Sequence, residues 1–146
     1  MSAVEADPAV VPYALDEAVG FILRQVVQRH TSIFAAMMGD DLTPTQWAAL
    51  SRLAEIGDCS QNLLGRLAAM DAPTIKGVVD RLTHRGLMST RADPEHGRRR
   101  LIALTLEGHE VVRRQTETAY RIAHETLSPL TDKESDRLVE LLKKLR

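Results

Sequence analysis

Cysteine is almost absent from this chain: Cys59 stands alone. A single thiol excludes an internal disulfide framework and fits a reducing compartment. Aromatic residues are nearly as scarce, and Tyr13, Phe21, Phe34, Trp47 and Tyr120 are the whole set. A core must then be built from Leu, Val, Ile, Ala and Met. No apolar run approaches the ~18–20 residues that a membrane-spanning helix needs, so no membrane partner is expected. The start, MSAVEADPAVVPY, is acidic and lacks the basic region of a secretory signal, and a cytoplasmic protein is expected. Also missing are a glycine-rich phosphate loop, a nucleophile motif and any close His or Cys pair with metal-ligand spacing. His30, His84, His96, His109 and His124 are scattered. No catalytic residues, no metal and no cofactor are therefore expected.

Net charge is small too, at −1 over 146 residues, but it hides a pattern. Residues 1–59 hold three basic and eight acidic groups, residues 60–105 hold eight and four, and residues 106–146 hold eight of each. The middle third is locally basic. Local basicity, more than overall pI, decides attraction to phosphates. The length suits one domain, or one domain with a dimerisation arm.

What is present is mostly helical periodicity. Residues 15–38 carry Leu15, Val19, Ile22, Leu23, Val26, Val27, His30, Ile33, Phe34 and Met37 at helical spacing. Gly20 is the one internal weak point. So long an apolar stripe needs a bundle or a second chain to cover it. Thr43, Pro44 and Gln46 then form a capping box with proline at the first helical position. Trp47, Leu50, Leu53 and Ile56 share one face of that helix, and Gly57 closes it. Ser60 can cap a third helix with Leu63, Leu64 and Leu67 inward. Asp71 can cap a fourth, with Pro73 in its first turn, Ile75, Val78, Val79 and Leu82 inward, and Gly86 as the stop. Two short helices joined by a tight turn make a helix-turn-helix pair.

Residues 87–105, LMSTRADPEHGRRRLIALT, read as strand, turn and strand. Arg98, Arg99 and Arg100 crowd the tip of this hairpin. Residues 106–127 resume helical spacing. A last helix opens on a Thr131–Glu134 capping box and carries Leu138, Leu141, Leu142 and Leu145 in a stripe. The first dozen residues are expected to be loose, with Val10, Val11 and Tyr13 available to pack on a partner.

Helices followed directly by a hairpin predict a mainly α, winged helix-turn-helix fold. The second helix of the pair can enter a major groove with its N-terminal residues at base edges. The wing can reach a neighbouring minor groove, whose negative potential attracts guanidinium groups. The plain alternative is that the three arginines only solubilise an edge strand.

The stretches TPTQWAAL and APTIKGVVDRLTHRGLMSTRADPEHGRRRLIALTLEG resemble the MarR family of bacterial transcriptional regulators. The most specific part runs from Asp93-Pro94 through Arg98 to Leu104-Thr105 and Gly108. The resemblance covers residue 15 to the end. It implies a homodimer, with residues 1–40 as an N-terminal arm and first dimerisation helix, 41–105 as the DNA-binding lobe and 106–146 as C-terminal dimerisation helices. It implies a small-ligand cleft between lobe and dimerisation region, and a repressor released from a pseudo-palindromic double-stranded DNA operator by a small organic effector, an aromatic acid or related thioester. Thr74 falls on the family's Thr or Ser at the start of the recognition helix, Arg98 on its wing arginine, and Asp93 on the acidic residue opening the wing. His96 replaces a frequent acidic residue, which weakens any acid–arginine tether in the wing. Lys76 replaces a small polar residue and can contact guanine or phosphate.

The expected DNA contacts are thus Ser60, Gln61, Pro73, Thr74, Lys76, Gly77, Arg81, Asp93, His96, Arg98 and Arg99. Ser60 serves equally as a helix cap. Arg81 can meet DNA backbone, Asp80 or the wing, and Arg85 reads as solvated. If the first helix lines a ligand cleft, Arg24, Gln28, His30, Phe34 and Trp47 are candidates for its anionic, polar and stacking contacts. His30 also reads as a hydrogen-bonded core group. Cys59 precedes a helix, which can activate a thiol, but a small packed residue in a short strand is the favoured reading. Two alternatives to ligand-gated repression stand beside it: a redox switch through Cys59, and a helical partner-binding protein that no longer reads DNA.

Overall fold

The structure is a computed structural model and describes residues 11–146. Of the residues expected to pack on a partner, Val10 lies outside that range. A 3-10 turn at Leu15–Glu17 leads into helix α1 (Val19–Met37). Then follow α2 (Pro44–Ile56), the two-residue strand β1 (Cys59–Ser60), α3 (Gln61–Leu67) and α4 (Ala72–His84). The hairpin β2 (Met88–Ala92) and β3 (Arg100–Leu104) precedes α5 (Leu106–Leu127) and α6 (Asp132–Lys144).

Side chains at the helix starts explain most boundaries. The Thr43–Gln46 and Thr131–Glu134 boxes are both closed, and Ser60, Asp71 and Thr105 each accept from a backbone N–H three residues on. Each satisfies an otherwise orphaned donor. The first long helix starts at Val19 rather than Leu15. Ala14 and Ala18 have no side chain to cap with, and Ala18 turns extended between the 3-10 turn and α1. Gly20 interrupts nothing.

The strands form one antiparallel sheet in the order β1-β3-β2. Cys59 pairs with Ile102, and Met88 with Leu104 through to Ala92 with Arg100. One apolar cluster fills the space between α2, α3, α4 and this sheet. It includes Leu50, Leu53, Leu64, Ile75, Val79, Leu82, Met88 and Ile102, and Val111 from the first half of α5 closes it. Burying such a side chain stabilises the fold by about 1.5–3 kcal/mol, and Leu82→Ala is the kind of change that costs ~2–5 kcal/mol.

Away from this lobe α1 packs on α5. Arg29 Nη1 and Nη2 donate to the carbonyls of Thr126 and Glu125 at 2.5 and 3.1 Å, covering the C-terminal end of α5. The outer faces of α1 and α6 stay open. Val19, Val27 and Leu145 are 68%, 59% and 73% exposed, and α6 buries no residue fully. No helix among the described residues is long and apolar enough to cross a membrane.

Candidate nucleic-acid interface

Helix α4 is divided lengthwise. Ile75, Val78, Val79 and Leu82 point into the core, which leaves Pro73, Thr74, Lys76, Asp80 and Arg81 exposed on the other side. Asp71 Oδ1 accepts from Thr74 N–H at 2.8 Å and orients the first turn. The Thr74 hydroxyl and N–H together hold the Asp71 carboxyl below its ordinary range. Gly77 is half-buried, and a Cβ there would meet only Arg81 Nη1 at 3.9 Å. A bare backbone at this point lets another molecule approach the helix closely.

Lys76 does not stand free on that face. Its Nζ donates to Asp80 at 2.8 Å, an exposed pair one turn apart, and this partner raises the Lys76 pKa. An exposed pair of this kind is held weakly, so Lys76 can exchange Asp80 for a phosphate or a base edge. The i, i+4 spacing of Lys76 and Asp80 carries this signal in the sequence. Arg81 is exposed and has no ion-pair partner among the described residues.

The wing is built by its own backbone. Asp93 N–H donates to Arg99 carbonyl, and Arg99 N–H to His96 carbonyl, both at 2.8 Å. Asp93 Oδ1 accepts from Glu95 N–H at 2.9 Å. Asp93 is therefore a turn-forming residue; its carboxylate would repel phosphate, and it is engaged within the loop. It makes no ion pair with Arg98, Arg99 or Arg100. Those three arginines and His96 are exposed, and among the described residues none has an acidic partner. Arg91 lower on the hairpin differs, since its Nη2 meets Asp58 at 3.0 Å. Cationic charge is thus left uncompensated at the tip and neutralised at the base.

Arg99 also faces a groove of about 560 Å³ whose other walls are Asn62 and Arg66 of α3 and Asp71, Ala72 and Ile75 of the α4 start. The sequence reading missed Asn62 and Arg66. Their i, i+4 spacing opposite Leu63, Leu64 and Leu67 was the available signal. Ser60 and Gln61 are half-buried, and Ser60 Oγ accepts from Leu63 N–H at 3.2 Å. The capping role is the one observed for Ser60.

Of the five proposed ligand contacts, Arg24, Gln28, His30 and Phe34 lie on α1 and Trp47 on α2. Arg24 and Gln28 are exposed on α1. His30 is half-buried, its Nδ1 lies 2.8 Å from Thr126 Oγ1, and its ring tilts against Phe34 at 6.5 Å between centroids. Phe34 is buried. Trp47 lines a groove between α2 and the α3–α4 turn with Ser51, Arg52, Glu55 and Leu67. Trp47 also packs against the apolar cluster of the DNA-binding lobe. Arg85, read as solvated, is tied down: it donates to the carbonyls of Asp40 and Asp41. Cys59 is buried in β1, and desolvation, with Asp58 adding to it, pushes its thiol pKa up. A reactive thiolate needs the opposite environment.

An amphipathic helix presenting a polar face, set beside an arginine-tipped hairpin, defines a winged helix-turn-helix DNA-binding protein. A MarR family model matches residues 40–99, from the α1–α2 loop through the wing tip. The transcriptional repressor NicR of Pseudomonas putida is 34% identical over 135 residues, spanning 92% of this chain and 85% of that protein. The chain belongs to the MarR family of transcriptional regulators. A probable transcriptional regulator from Pseudomonas aeruginosa superposes with a TM-score of 0.90 at 50% identity, over 91% of this chain and all of that one (100%). Bordetella bronchiseptica BpsR, whose DNA binding is regulated by 6-hydroxynicotinic acid, superposes at 0.88 with 34% identity, over 92% of this chain and 97% of that one.

Proposed function

We infer that this protein is a ligand-responsive transcriptional repressor that binds a pseudo-palindromic operator as a homodimer and leaves it when a small aromatic acid binds. The observation that carries this reading is the wing tip. Arg98 and Arg99 are exposed and have no acidic partner among the described residues, beside the polar face of α4, which suits a polyanion with an accessible major groove. The open apolar faces of α1 and α6 support a second copy of the chain as their cover. A two-fold dimer would present its recognition helices to half-sites about one helical turn, ~10 bp, apart. Thr74, Lys76 and Gly77 would meet bases or phosphates, and Arg66, Arg98 and Arg99 would grip the backbone.

The effector reading rests on α1 and on the relatives. Arg24 offers a planar fork suited to a carboxylate, which favours a free acid over a thioester. His30 and Phe34 offer a polar and an apolar ring. BpsR, similar over nearly its whole length, answers to a hydroxylated aromatic acid. Such an effector releases DNA only through a difference in affinity between the free and bound forms.

The test is anisotropy of a labelled duplex from the DNA upstream of this chain's own gene, with excess nonspecific competitor. Specific binding with a Kd of roughly 10⁻⁸–10⁻¹¹ M is expected. Addition of 6-hydroxynicotinic acid or hydroxybenzoic acids should release the duplex, and Arg24→Ala should bind DNA but ignore the acid. Equal affinity for competitor and upstream DNA would overturn the regulator reading. Equal affinity with and without every acid would overturn the gating.

A further inference from the structure

The loop between α1 and α2 is organised around a carboxylate that DNA contact does not explain. Asp40 and Asp41 both adopt left-handed backbone, at φ 57° and 52°. Such conformations are disfavoured for residues with a side chain, and persist where the surroundings over-determine them. Here the surroundings are explicit. Asp40 accepts from Arg114 Nε and Nη2 of α5 at 3.2 and 2.9 Å, and from Gln115 Nε2 at 2.7 Å. Gln115 is buried, and its Oε1 accepts from Gly39 N–H at 3.3 Å. A Cβ on Gly39 would come within 2.5 Å of Gln115 Nε2, so a larger residue there would displace the Gln115 amide from its contacts.

The other side of the loop faces the recognition helix. Arg85 is the C-cap residue of α4. Its Nη2 donates to the Asp40 carbonyl and its Nη1 to the Asp41 carbonyl at 3.4 Å. One residue, Asp40, is therefore joined through its side chain to α5 and through its backbone to the end of α4. The Arg114 guanidinium holds its carboxyl below the ordinary range, so the carboxylate stays charged at neutral pH.

We propose that Asp40 is a positioning residue for DNA reading, which fixes the recognition helix relative to α5 and thereby sets the separation of the two recognition helices in the dimer. This rests on the homodimeric DNA-binding reading above. Rotation of α4 against α5 strains this joint, because Arg85 grips the carbonyl of Asp40, the residue whose carboxylate Arg114 and Gln115 hold. A bidentate arginine–carboxylate pair fixes direction as well as distance.

The test measures helix separation directly in the full chain. Thr83, exposed on α4, takes a nitroxide through Thr83→Cys in a Cys59→Ser background, and double electron–electron resonance reads the distance between the two labels. One narrow distribution is expected in this parent. Asp40→Asn keeps the side-chain size and suits left-handed backbone, and should shift or broaden the distribution. Arg85→Lys keeps the charge, loses the fork and leaves the Asp40–Arg114 pair intact, and should do the same. In anisotropy with duplexes selected by the parent from a random pool, both variants should lose about 2- to 30-fold of the discrimination against one inserted base pair between half-sites. A purely structural role would lower the melting midpoint and leave spacing discrimination untouched. Unchanged distances and unchanged discrimination in both variants would overturn the proposal while the regulator reading stands. No dipolar signal in the parent would overturn the dimer, and the proposal with it.

Discussion

Gly108 lies in the first turn of α5, where helix propensity and packing make opposite predictions about Gly108→Ala. In a helix interior alanine is favoured over glycine by ~0.8–1 kcal/mol. The packing forbids it. A Cβ on Gly108 would lie 2.1 Å from the Leu87 carbonyl oxygen and 3.1 Å from its carbon. A carbon–oxygen contact normally needs ~3.3 Å or more, so that carbonyl or the start of α5 must retreat by roughly 1 Å. Neither moves alone. Thr105 N–H donates to the same Leu87 carbonyl at 3.2 Å, and Thr105 Oγ1 donates to the Gly86 carbonyl at 2.6 Å while accepting from Gly108 N–H at 3.0 Å. Overpacking costs ~1–3 kcal/mol, and one weakened hydrogen bond adds ~0.5–1.5 kcal/mol. After the propensity gain a net loss of about 0.5–4 kcal/mol remains, or roughly 2–12 °C in melting midpoint for a chain of this size. Thermal unfolding followed by circular dichroism, with both proteins at one concentration because a dimer's midpoint depends on it, checks this. A midpoint at or above that of the parent would mean that propensity wins and that the close seam between wing and α5 has no energetic weight.

Arg98→Ala and Arg99→Ala should each weaken specific and competitor DNA alike and reduce the slope of log affinity against log salt by about one per lost phosphate contact; unchanged slopes in both variants would take the wing off the DNA. The Asp40 carboxyl has a lowered pKa in the folded chain, so its contribution to stability is present above the ordinary aspartate value of 3.8 and disappears as pH falls through the lower folded value. The stability gap between the parent and Asp40→Asn, measured by urea unfolding, should therefore stay level at neutral pH and shrink only below that value. Leu142→Glu on the open face of α6 should dissociate the dimer in sedimentation velocity, and an unchanged sedimentation coefficient would place the interface elsewhere. Cys59→Ser and the parent should respond alike to peroxide in DNA binding, since the thiol is buried with a raised pKa; release of DNA by peroxide from the parent alone would restore the redox reading.

The parts of this protein legible in the sequence are those whose physics spans three or four residues. Capping needs only an oxygen and an N–H three positions on, so Thr43, Ser60, Asp71 and Thr131 could be read directly. The inward faces of α2 to α4 followed from spacing, and the wing from turn residues between alternating runs. The Lys76–Asp80 pair was equally local, and was overlooked. Arg85 was less legible for a different reason. The partners of Arg85 lie more than forty positions away (44 and 45 residues), and no periodicity announces them.

The sequence alone thus determined which segments are helices, which residues cap them, which faces are apolar and where cationic charge collects, because backbone satisfaction and amphipathic spacing are decided by near neighbours. Only the tertiary structure decided what those faces and charges are worth. It paired Arg91 and Arg85, left Arg98 and Arg99 without an acidic partner among the described residues, buried Cys59 and brought Asp40 between α4 and α5. Those outcomes depend on which distant groups share one small volume, and that is a property of the packed chain.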